Sequence, residues 1–189
     1  MMMAISADYI SPNEKVHFEI KVDSGNALVE SLRGESAVKE LTGRYPVDFN
    51  KGSLNLYKGI GGFSLVFPIP FQNKFLVAYY DETSHLANLK LMAIETKDNK
   101  FELSFSTVDE TQTVKGIYED GEYIRTEILN DSDKITVQAA WVDCLQEGFE
   151  SLPWALKALC SAACAAVWTG VGLAACAGCL TGVGITCPK

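Results

Sequence analysis

The first 143 residues contain no cysteine, and no charged side chain occurs between Lys157 and Lys189. Clustered basic residues are absent as well. Residues 1–143 carry 22 Asp and Glu against 14 Lys and Arg, so the whole net charge of −8 sits there and the remainder is neutral. Without a run of Lys or Arg to neutralise phosphates, nucleic acid is not an expected partner. The same lack argues against docking on anionic lipid headgroups by charge alone. The N-terminal stretch MMMAISADYISPNEK has no basic region and no apolar core of a signal peptide. Its three consecutive Met residues leave the start site open.

Catalytic signals are equally scarce. The two histidines, His17 and His85, are far apart in sequence, and His17 falls on the polar side of its strand, which reads as solvated surface. Gly59-Ile60-Gly61-Gly62 follows a strand but opens no helix, so it reads as a turn and not a phosphate cradle. Ser64 and Ser84 lack a G-x-S-x-G context. The carboxylates at 119–122 belong to a hairpin turn before they form an acid/base pair. Neither an enzyme nor a bound cofactor is expected.

The first 143 residues do carry clear periodicity. Val16 to Val22 alternates apolar and polar, which predicts a strand with one buried face. Leu28, Leu32, Val38 and Leu41 fit helical spacing interrupted at Gly34, with Gly43 as a C-terminal stop. From Ser53 onward strands are expected at 53–58, 63–67, 74–80, 88–96, 101–107, 112–118, 122–129 and 134–142. Turn signals separate them, including the Asp120-Gly121 pair of a tight hairpin. Short neighbouring strands joined by short turns imply an antiparallel meander, and one main helix packed on it gives an α+β domain.

The composition then switches. Cys144, Cys160, Cys164, Cys176, Cys179 and Cys187 give the spacing C-x15-C-x3-C-x11-C-x2-C-x7-C. Two units are therefore expected, 1–143 and 144–189. The second is too small to hold itself together without staples or a metal. Residues Leu152 to Thr169 read as a helix, with Ser151 as N-cap and Pro153 in the first turn, and Leu173 to Leu180 as a second one. Gly170 lies midway between Cys164 and Cys176. An antiparallel hairpin folded there brings Cys164 level with Cys176 and Cys160 level with Cys179, leaving Cys144 and Cys187 to tie the ends. Six cysteines allow fifteen pairings, so this one is a proposal from spacing.

Other readings of the same residues remain. A tetrathiolate zinc site could draw on C-x3-C-x11-C-x2-C, although such sites favour tight turns over Ala-rich helix. Cys176-Ala-Gly-Cys179 has redox-motif spacing but neither the preceding strand nor the following helix. Residues 158–188 are uncharged and longer than the ~20 needed to span a bilayer, but glycines interrupt them.

The block SAACAAVWTGVGLAACAGCLTG resembles the small-residue, Cys-rich C-terminal peptide of halocin C8-like bacteriocin precursors of archaea and Gram-positive bacteria. The upstream helix LVESLRGESAVKELTG and the strand pair around FSLVFPIPFQNKFLVAYYD are similar to the longer precursors of that group. The resemblance implies a disulfide-stabilised antimicrobial peptide, freed by a processing protease and secreted, and an N-terminal part with a shielding or immunity role. The expected partners are a target-cell membrane and, inside the chain, the N-terminal domain against the tail. Trp154, Trp168, Val171 and Leu173 are the expected membrane-contacting residues. The alternative function is a non-toxic binding protein whose tail serves as membrane tether or zinc-stabilised element.

Overall fold

The computed structural model of the protein describes residues 17–130, 139–158, 160, 162–170, 172–185 and 187. Its centre is an antiparallel meander of eight strands in sequence order. They are β1 (His17–Val22), β2 (Gly52–Tyr57), β3 (Phe63–Ile69), β4 (Lys74–Tyr80), β5 (Leu86–Lys97), β6 (Lys100–Ser106), β7 (Gln112–Glu119) and β8 (Glu122–Asn130). The expected Asp-Gly hairpin joins β7 to β8, with Asp120 and Gly121 both at positive φ, as a primed two-residue turn requires. The architecture is α+β, as the strand pattern predicts.

Two short helices cover the front of the sheet, α1 (Ala27–Arg33) and α2 (Ser36–Thr42). Asn26 starts α1 by accepting from the Leu28 amide at 2.9 Å. Gly34 separates the two helices, and Gly43 ends α2. Val29, Leu32, Val38 and Leu41 form the buried stripe, and Leu28, beside the cap, is only partly covered. They pack on Leu65, Phe67, Leu76, Ala78 and Tyr80. The front of β6 and β7, beyond these helices, is polar, with Lys115 and Glu102 paired at 3.2 Å.

The back of the sheet is covered by the C-terminal segment. Along β4, Phe75, Val77 and Tyr79 join that second core while Leu76, Ala78 and Tyr80 join the first. Both faces of β4 are therefore buried, which is why KFLVAYY carries no polar alternation.

Three expectations are corrected here. The strand expected over 134–142 is overturned where it can be seen: residues 131–138 lie outside the described ones, and Ala139–Ala158 is one helix, α3. Its buried residues Trp141, Leu145, Phe149, Leu152 and Leu156 keep helical spacing, which a strand could not present to one face. The helix expected at Leu152–Thr169 begins thirteen positions too late and runs too far. Ser151 is interior, bonding back to the Glu147 carbonyl at 2.9 Å instead of capping. Residues Ala162–Thr169 wind as 3₁₀, whose three-residue period brings Cys164 and Val167 to one buried side. Leu173–Leu180 is helical as expected and is named α4.

His17 is the third correction. It is buried, with Nε2 2.7 Å from Asn55 Oδ1, and its ring stacks on Tyr57. The apolar alternation of β1 points forward, past the edge of α1 and α2, so Phe18 and Ile20 are half-exposed, while on the polar side His17 alone is covered and Glu19 and Lys21 stay exposed.

Candidate functional site at the sheet–tail interface

Pro153 lies inside α3, where it has no amide to give the carbonyl of Phe149 one turn earlier. The sheet supplies the missing donor: Tyr118 Oη donates to Phe149 O at 2.7 Å. Phe149 itself reaches β7 because Gly116 has no side chain; a Cβ there would stand 2.6 Å from the Phe149 ring. Burial pushes the Tyr118 phenol far above its ordinary range. At the start of α3, Lys90 Nζ sits 4.4 Å from the centre of the Trp141 ring, a cation–π contact under a mostly buried ammonium. Desolvation holds the Lys90 pKa down.

The contact of α4 with β2 and β3 is polar at its centre. Tyr57 Oη donates to Gly178 O, lies 2.7 Å from Thr181 Oγ1 and 3.3 Å from Ser64 Oγ. Ser64 Oγ and Thr181 Oγ1 are 3.1 Å apart. Thr181 Oγ1 also donates to Gly178 O, at 2.7 Å, so the Tyr57 and Thr181 hydroxyls converge on one carbonyl. Tyr79 Oη donates to Thr181 O at 2.9 Å. Burial, partly offset by the Ser64 and Thr181 hydrogen bonds, pushes the Tyr57 phenol up to about 12. Burial raises Tyr79 in the same direction. Next to this cluster, Asn55 Oδ1 occupies the space over Gly178, where a Cβ would stand 2.0 Å from it.

All six cysteines are bonded: Cys144–Cys187, Cys160–Cys179 and Cys164–Cys176. This is the pairing that the symmetric spacing about Gly170 places level. Cys164–Cys176 is buried between tail and sheet, and the other two are partly buried at its margin. With every cysteine sulfur in a disulfide, no thiolate is left in this structure for a tetrathiolate metal site. Among the described residues no group of three or more His, Cys, Asp and Glu is placed to hold a metal, and no helix is long and apolar enough to cross a membrane.

The residues expected to touch membrane divide. Trp168 packs edge-on against Phe101 at 4.9 Å and tilted on Tyr118 at 5.1 Å, and Leu173 is buried in the same core. Val171 and the side chain of Trp154 lie outside the described residues. The composition boundary at 143/144 falls inside α3, so the sheet-facing row starts before it, at Trp141.

Sequence reasoning did not single out Asn55, Tyr57, Tyr79 or Thr181. One signal was available: Asn is disfavoured in a strand interior, and Leu-Asn-Leu-Tyr places it between two leucines. Ser64 lacks the context of a nucleophile and serves instead as a buried hydroxyl of the clasp. The chain matches no protein-family model, no curated protein and no solved structure.

Proposed function

We propose that the chain is a bacteriocin-like antimicrobial precursor, in which the sheet domain shields a C-terminal peptide that is released by proteolysis, secreted, and acts on the membranes of competing cells. The observation that carries this reading is covalent. All three disulfides close within residues 144–187, and none ties that segment to the sheet. A single break in the chain before α3 therefore leaves a peptide that keeps its three bridges and has only non-covalent contacts to lose.

The nature of those contacts supports the same reading. Val167, Trp168, Leu173 and Leu180 present an apolar surface that a soluble peptide would rarely leave open. The sheet covers it in the intact chain, and an uncharged segment of this kind partitions into a bilayer interface. Three disulfides suit an oxidising compartment outside the cytosol. The halocin C8-like resemblance of the same segment points to the same activity. No observation favours the tether or zinc alternative.

The test compares the intact chain with the disulfide-bonded 139–189 peptide, purified after a cut introduced ahead of Ala139. The peptide is expected to leak dye from lipid vesicles and inhibit growth of sensitive cells, while equimolar intact chain does neither. A properly bridged peptide that leaves both vesicles and cells intact across a panel of competitors would remove the proposal.

A further inference from the structure

Strand β8 ends the sheet: among the described residues its one strand neighbour is β7, and no described strand pairs with its outer edge. Such an edge is a template for another strand unless charge, proline or distortion blunts it. β8 has no proline, and Ile124, Ile128 and Leu129 are each about half exposed, at 47%, 48% and 49%. Arg125 and Glu127 pair with each other at 2.8 Å on the open surface.

The sequence of this edge is its own complement. Two copies of β8 that meet antiparallel about a two-fold axis keep their faces in common, so residues pair with an even sum of positions. Centred on Thr126, the pairing sets Arg125 against Glu127 of the second copy and Glu127 against its Arg125. Thr126 then meets Thr126, while Ile124, bulged out between Tyr123 and Arg125, lies beyond the regular pairs. Moving the axis to residue 125 opposes two arginines, and moving it to 127 opposes two glutamates; like charges directly across a pair destabilise it. The bulge between Ile117 and Tyr118 leaves Arg125 to Asn130 in regular register with β7, so the central charged pair lies on undistorted strand.

We propose that β8 is a homodimer edge, on which a second copy of this chain adds its own β8 about Thr126, uniting two meanders into one continuous sheet. The interface is isologous and lies apart from the Tyr57–Thr181 contact, but α3 packs on β7 and β8 beside it, so it belongs to the intact chain. The contact is small, which places the equilibrium in the weak range.

Sedimentation of the full chain from about 1 to about 300 µM tests this. The mass is expected to rise from the monomer value of 20.6 kDa to twice that value as concentration increases. Glu127→Arg and Arg125→Glu, each of which opposes like charges, are expected to weaken dimerisation at least ~10-fold. The double exchange R125E/E127R restores the complementary pairs and should return the dissociation constant to within about threefold of the original. Near-ultraviolet circular dichroism reports that each variant is folded. A wild-type chain that stays monomeric throughout, or folded single variants that dimerise as the wild type does, would overturn the proposal. So would a folded double variant that fails to recover.

Discussion

Tyr57 Oη on β2 and Thr181 Oγ1 just past α4 lie 2.7 Å apart, although 124 positions separate them in the chain. That contact, with Ser64 and the Gly178 carbonyl, fixes where the disulfide-held tail sits on the sheet. Apolar burial supplies most of the attraction between two such surfaces, but it is not directional. The hydroxyl cluster supplies the direction.

Thr181→Val keeps the shape and deletes the bridging hydroxyl. Tyr57 keeps the Gly178 carbonyl and Ser64 keeps Tyr57 at 3.3 Å, so the loss is that of the Thr181 hydrogen bonds, about 1 kcal/mol. Denaturant unfolding should report a loss of that size, and Thr181→Ser should recover most of it.

Gly178→Ala drives a methyl group into Asn55 Oδ1, so α4 must shift or Asn55 must rotate away from His17. Overpacking of this kind costs about 1–3 kcal/mol. Combining it with Asn55→Ala frees the space, and the double variant is expected to be more stable than the sum of the two single losses. Strict additivity in a double-mutant cycle would show that the two residues do not meet.

Alkaline pH should undo the docking. Tyr57 in the folded chain is held at about 12, against an ordinary value near 10. The raised value means that docking favours the neutral phenol. Its contribution is complete below about 10 and is lost as pH climbs through the Tyr57 value of about 12. Tyrosinate absorbance at Tyr57, isolated by comparison with Tyr57→Phe, should rise together with exposure of Trp168 fluorescence to solvent. Titration of Tyr57 near 10 with Trp168 still packed on Phe101 and Tyr118 would contradict the burial argument.

Replacing Cys164 and Cys176 together by Ala opens the bridge closest to the sheet. Its twelve-residue separation corresponds to a loss of about 3 kcal/mol by restriction of the unfolded chain. The variant should unfold at lower denaturant concentration, and the tail should become the preferred site of protease attack.

The meander was legible because each strand has turn residues at both ends, and the disulfide pairing because Gly170 divides the cysteines almost symmetrically. Helix α3 was missed at its start because Asp143, Glu147 and Gly148 interrupt the apolar reading of WVDCLQEGF, though the row Trp141, Leu145, Phe149, Leu152, Leu156 keeps the helical period. Pro153 reads as a first-turn residue until Tyr118 is seen to serve the carbonyl it abandons. Such a contact, like that of Asn55 with Gly178, joins residues far apart in the chain and has no local periodicity. His17 was misread because a strand pattern tells which residues share a face, but not how far the neighbouring layers extend over it.

The most direct test of the account is intact mass spectrometry of the protein in the native host's culture medium, with and without thiol reduction and alkylation. The account predicts a tail fragment that includes Trp141 and all six cysteines and gains six alkyl groups only after reduction. A full-length, cell-associated chain whose six thiols alkylate without reduction would contradict it.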